Sequence, residues 1–194
     1  KDKLYYLWSL ERRDRDQDFT RTPYDTPLPD TSNYHGYYLS AKLTWDVNEK
    51  NRLNLYYQRD PIDITNAFGR FYYAFVDPTA EQIQSQGGNF WNIRWSSIWK
   101  NNLFFEFFYS DYNGIINFFP QIESVLWSGL DLGGTATYYG YNNNQYYSNR
   151  DRQDWRASLS YIQDTSIGTH NWKFGAEITK LDNRVMNNYY SPFG

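Results

Sequence analysis

From His35 to Val47 apolar and polar side chains change places at almost every step. Tyr37, Leu39, Ala41, Leu43, Trp45 and Val47 fall on one side, and Tyr38, Ser40, Lys42, Thr44 and Asp46 on the other. A period of two is the repeat of a β-strand with one face in an apolar setting, and a helix cannot satisfy it. After Asn48-Glu49-Lys50 the alternation resumes, with Leu53, Leu55 and Tyr57 opposite Asn54, Tyr56 and Gln58.

Two further hairpins repeat the design. Trp91, Ile93, Trp95, Ser97 and Trp99 alternate with Asn92, Arg94, Ser96, Ile98 and Lys100, and Leu103, Phe105, Phe107 and Tyr109 follow opposite Phe104, Glu106, Phe108 and Ser110. A three-residue loop, Lys100–Asn102, pairs Trp99 with Leu103 and sends Glu106 to the polar side, whereas a two-residue turn puts Glu106 among the tryptophans. The three-residue loop is therefore expected. Phe104 and Phe108 fall on the polar side, which alternation does not explain. Trp155, Ala157, Leu159 and Tyr161 then face Trp172, Phe174, Ala176 and Ile178 across a turn at Asp164–His170, and Leu4, Tyr6, Trp8 and Leu10 form a first strand.

This makes seven strands of roughly ten residues, the length that crosses a bilayer at a tilt. Short connections near 48–50, 100–102 and 164–170 alternate with long ones over about 13–34, 60–88 and 112–152. Membrane barrels have this asymmetry, with short periplasmic turns and long external loops. A short helix is expected within the second loop, over Pro78–Gln86. A soluble β-sandwich, such as a carbohydrate-binding module, also has one apolar face per strand. It explains neither the strict alternation of loop length nor apolar faces so rich in Trp, Tyr and Phe.

Composition narrows the choice. Aromatics are 21% of the residues, yet the mean hydropathy is −0.83. The apolar material is thus mostly amphipathic rings, which collect where water meets lipid. A net charge of −3 with no basic block excludes nucleic acid as the expected partner. The absence of cysteine excludes disulfides and thiolate chemistry. No stretch approaches the roughly 18 apolar residues of a membrane helix. Asp2 stands where a signal peptide would need its basic and apolar regions, so none is expected here. Because the first residues already read as a strand, the chain reads as a segment of a longer protein.

Several strands resemble those of a known group. Lys1-Asp2-Lys3-Leu4-Tyr5-Tyr6-Leu7-Trp8 resembles the strand that opens the barrel after the plug in TonB-dependent receptors. Lys42-Leu43-Thr44-Trp45, with Asn48 and Lys50-Asn51-Arg52-Leu53, is similar to the second hairpin of the Oar-like branch, which carries an N-terminal carboxypeptidase-regulatory-like domain. Trp91-Asn92-Ile93-Arg94-Trp95 and Trp172-Lys173-Phe174-Gly175-Ala176-Glu177 resemble later strands of that branch. The resemblance implies an all-β fold, an antiparallel transmembrane barrel of 22 strands of which residues 1–194 supply about seven. It also implies location in the bacterial outer membrane and energy-coupled uptake of a solute. The partners it implies are membrane lipid, the protein's own plug domain, and the TonB complex engaged through an N-terminal region absent from this sequence. A surface lipoprotein or other protein is a further possible partner. The alternative in the same membrane is a structural or adhesive barrel.

No catalytic constellation is present, and no cofactor or metal is expected. His35 and His170 read as polar rim residues without metal-ligand spacing. Asp14, Asp16 and Asp18 have calcium-loop spacing, but Phe19 stands where the glycine is needed and Asp25 where the last glutamate is. They read as an acidic loop, and Gly133-Gly134 as a turn. Lys42, Asp46, Arg94, Glu106, Arg156, Lys173 and Glu177 are expected on the lumen side, because Arg or Lys facing lipid near the midplane costs roughly 2–4 kcal/mol. For ligand capture the candidates are Trp127, Tyr138, Tyr139, Tyr141, Tyr146 and Tyr147 in the third long loop, where rings and neighbouring amides could hold a solute.

Overall fold

The computed structural model describes residues 3–18, 31–67, 75–76, 81–121, 128–131, 137–140 and 144–189. Its main element is one antiparallel sheet. Along it lie β1 (Lys3–Asp18), β2 (Thr31–Asn48), β3 (Asn51–Arg59), β6 (Gln82–Lys100), β7 (Leu103–Pro120), β10 (Asn144–Thr165) and β11 (Gly168–Tyr189), in that order. The short β4 (Ile62–Ile64) continues the line of β3 between β2 and β6. A separate three-stranded sheet joins β5 (Phe75–Val76), β9 (Thr137–Gly140) and β8 (Ser128–Asp131), with β5 parallel to β9. It ties the second long connection to the third.

The strands run well past their expected ends. β10 and β11 each have 22 residues, or roughly 70 Å at about 3.3 Å per residue. Much of the expected loops 13–34, 60–88 and 112–152 is therefore paired strand. The expected helix over Pro78–Gln86 is corrected in its described part, since Gln82–Gln86 opens β6 and pairs with Pro120–Ile116 of β7. Asp14, Asp16 and Asp18 lie on β1 rather than in a loop, and Phe19, Asp25, Gly133 and Gly134 lie outside the described residues.

The short connections are tighter than expected. Lys100 faces Leu103 across Asn101-Asn102, and Trp99 is bulged out of the ladder. From Ile98–Phe104 onward the register is the one that the longer loop implied, and Glu106 faces Ser96. One extra residue in one strand has the same effect on register as one extra in the loop. The Asn48–Asn51 turn repeats this device, with the irregularity between Asp46 and Asn48. There the Asn48 carboxamide oxygen accepts from Lys50 N and Asn51 Nδ2, both at 2.9 Å, which closes the turn without glycine. The third turn is only Ser166-Ile167, because Thr165 pairs directly with Gly168.

Between β3 and β4 the ladder breaks at Asp60-Pro61 without losing register. Pro61 has no N–H to give, but its carbonyl accepts from Tyr37 N at 3.0 Å. On the other side Gly88 N donates to the Asp60 carboxylate at 2.9 Å, and Asp60 N donates to Gly88 O at 3.2 Å. Gly87 opposite adopts φ +132, and a Cβ there would stand 2.2 Å from the Asp60 carbonyl oxygen. Only glycine fits that close approach. Past the break, Ile62, Ile64 and Ala67 are buried against Tyr34 and Tyr38, forming the small apolar core.

Candidate functional site

The two faces of the sheet differ in kind. Successive cross-strand partners on one face are Leu10–Leu39, Trp8–Ala41, Tyr6–Leu43 and Leu4–Trp45, continuing through Leu55–Ile93 and Trp95–Phe107 to Leu159–Phe174. Among the described residues no second layer packs over this apolar face. Tyr6 on an edge strand is 78% exposed, and Trp95, on an interior strand, is still 39% exposed.

The apolar zone ends abruptly. On β10 the same-face residues are Asp151 and Gln153, then Trp155, Ala157, Leu159 and Tyr161, then Gln163. On β11 they are His170, then Trp172, Phe174, Ala176 and Ile178, then Lys180 and Asp182. Rings line its upper edge (the edge toward the long connections) across three strands, with Trp91–Tyr109 and Tyr109–Trp155 centroids 5.0 and 5.3 Å apart. Directly above, Tyr109 Oη and Gln153 Nε2 both donate to Asp111, at 3.0 and 2.9 Å. The lower edge has Trp95 and Trp99 against Phe105, and Trp95 Nε1 donates to Asn51 Oδ1 at 3.2 Å. A ring with its polar atom turned out of the apolar zone suits an apolar–aqueous boundary.

The opposite face carries Lys42, Asp46, Arg94, Glu106, Arg156, Lys173 and Glu177 together. One row across the sheet reads Thr44–Asn54–Arg94–Phe108–Arg156–Glu177. Phe108 sits in it between two guanidiniums, 5.7 Å from that of Arg94 and 5.4 Å from that of Arg156. Cation–π attraction accounts for an aromatic ring on a charged face. Arg156 also pairs with Glu177 at 3.0 Å, and Asp46 with Arg52. The next row holds Asp154, which is buried and accepts from Ser110 Oγ at 3.3 Å, Thr179 Oγ1 at 2.7 Å and Arg152 Nε at 2.9 Å. Phe104 lines a cleft of about 580 Å³ beside the short turns, with Asp46, Arg52, Glu106 and Ser160.

Models of protein families, curated proteins and solved structures give no match to this chain. The site therefore stands on its own geometry.

The proposed ligand platform does not come together as one described surface. Trp127 and Tyr141 lie outside the described residues, and Tyr138 and Tyr139 belong to β9. Tyr146 and Tyr147 are strand residues of β10, not loop residues, and as neighbours they point to opposite faces. Their rings pack on Phe118 and Phe119 of β7, at 5.9 and 5.4 Å.

Above the band charged and polar residues stand on both faces of β1 and β2. Asp14, on the face of the apolar band, bonds His35 Nδ1 at 2.9 Å and pairs with Arg12 at 2.7 Å. These contacts, led by the histidine, hold its carboxyl below the usual carboxylate range. His35 is therefore a hydrogen-bonded residue within β2. On the other face Tyr34 and Tyr38 join hydroxyls, with the Tyr34 ring lying over Gly36, where a Cβ would meet it at 2.9 Å. Burial, then the bond to Tyr38, push the Tyr34 phenol up to about 12. Arg13, Arg15, Tyr34, Gln84 and Gln86 of this upper face fall within the expected loops and belong to strands instead. The apolar residues beside them, Ile62 and Ile64 of the short β4, are too short a run to mark a strand by alternation.

Proposed function

We propose that this chain forms part of the wall of an outer-membrane β-barrel, its apolar face toward lipid and its polar face toward the lumen. The barrel, on this reading, is a TonB-dependent receptor that imports a scarce solute. The observation that carries the barrel is the bounded apolar band. The polar limits Gln153 and Gln163 on β10, like His170 and Lys180 on β11, stand ten residues apart. That spacing is roughly 33 Å along a strand, or about 25 Å across the band at a tilt near 40°, the height of the lipid-facing zone of such barrels.

Energetics favour the same reading. Each large apolar side chain withdrawn from water contributes about 1.5–3 kcal/mol. Summed over the face, this exceeds the roughly 5–15 kcal/mol net stability of an ordinary domain. A sandwich would supply a second layer over these rings, yet they remain exposed on interior strands as well as edges. Import, as opposed to adhesion, is supported by the likeness of the Lys1–Trp8, Lys42–Leu53, Trp91–Trp95 and Trp172–Glu177 strands to TonB-dependent receptors.

Cell fractionation tests the barrel, and loss of TonB tests import. The protein is expected in the outer-membrane fraction, resistant to urea and released by detergent, and recovery in the soluble fraction would end the barrel reading. Solute accumulation that persists unchanged without TonB would leave an adhesive or structural barrel in place of a receptor.

A further inference from the structure

Above the band, on the polar face, β1, β2, β4 and β6 enclose a cleft of about 280 Å³. Three rows of the sheet contribute to it: Arg15–Tyr34–Ile64–Gln84 in full, Arg13 and Gln86 from the row below, and the pair Gln17–Ser32 from the row above. Arg13 is held in place, bonded to Glu11 at 2.7 Å and 5.2 Å over the Tyr38 ring. Arg15, two residues on along the same face, has no ion pair among the described residues. Gln84 is 6% exposed, gives its Nε2 to Gln86 Oε1, and receives no donor at its own Oε1. A buried carbonyl oxygen without a donor costs free energy until something supplies one.

We propose that this cleft binds a sugar acid, a carboxylate-bearing solute of monosaccharide size. The proposal rests on the reading of the polar face as a solute path, and gives that path a substrate class. Three features select the ligand. The Arg15 guanidinium, with Arg13 beside it, presents a planar fork matched to a carboxylate. Gln84 lines the cleft, and its Oε1 needs a hydrogen-bond donor, which a carboxylate lacks and a hydroxyl has. Ile64 gives an apolar floor for the C–H face of a ring, and the volume lies near the lower end of small-molecule pockets.

Calorimetric titration of the intact protein, purified in detergent with whatever further strands its own gene supplies, decides the matter. The probes are glucuronate, glucose and glucose 6-phosphate, and the variants Arg15→Gln and Gln84→Glu. Glucuronate is expected to bind at least tenfold tighter than glucose, and more weakly as salt is raised. Arg15→Gln, a change at an exposed position, is expected to remove at least tenfold of that affinity. Gln84→Glu keeps the side-chain volume but sets a negative charge against the ligand, and is expected to weaken binding as much. Absence of glucuronate binding, equal binding of glucose, equal or tighter binding of glucose 6-phosphate, or affinity unchanged in both variants overturns the assignment. Fractionation separates the two readings. A membrane protein that ignores glucuronate loses only this site, and a soluble protein that binds it keeps the site and loses the transport path.

Discussion

At the scale of single residues the two sides of one strand make opposite demands. Leu159 lies in the middle of the apolar band and Ser158, its neighbour, on the charged face beside Glu106. In a protein refolded into lipid vesicles, Leu159→Arg is expected to cost about 2–4 kcal/mol, because a cation near the midplane gives up its water. Ser158→Arg is expected to change stability by no more than about 0.5 kcal/mol, as polar surface substitutions do. Urea unfolding of both variants checks the pair, and equal costs would mean that neither face meets lipid. Phe108 shows why sequence alone misjudges such positions. Its partners Arg94 and Arg156 lie on neighbouring strands, so nothing local to Phe104–Ser110 announces that a ring belongs among charges.

Among the elements, the Asp60-Pro61 break is where chain direction and strand pairing are reconciled. Gly87→Ala is expected to destabilise by about 1–3 kcal/mol or more, since its φ is +132 and the new Cβ meets backbone at 2.2 Å. Gly168→Ala has a similar φ, +134, but open space around it, so it is expected to cost less. Thermal unfolding of the two variants measures the difference, and a larger loss at Gly168 would contradict the packing at the break. The lower halves of the strands were legible because one face is apolar and the other polar. Above the band, stretches such as Arg12-Arg13-Asp14-Arg15-Asp16 and Ser148-Asn149-Arg150-Asp151-Arg152 are polar on both faces, so alternation vanishes while pairing continues. Register at the Asn101-Asn102 turn was legible, since Glu106 admits only one side, but the bulge at Trp99 that delivers it was not. The upper cleft was illegible for the same reason as the strands that build it.

For the whole molecule, the outer edges of β1 and β11 decide what can stand alone. Among the described residues β11 pairs only with β10, and β1 only with β2. Each unpaired backbone group at membrane depth costs several kcal/mol, so an open sheet of this size has no stable place in a bilayer. Residues 1–194 expressed alone are expected to give no heat-modifiable, protease-resistant band in detergent. Electrophoresis of boiled and unboiled samples reads this directly, and such a band would mean that the segment closes on itself.

Seven strand positions in strict antiparallel succession leave β1 and β11 pointing the same way. Laid edge to edge, in one copy or between copies arranged head to tail around a ring, they could meet only as a parallel pair, which barrels of this class do not use. On the barrel reading, the strands that complete the circumference are therefore odd in number and enter and leave in the direction opposite to β1. Parity alone thus rules out a ring of identical seven-strand sheets.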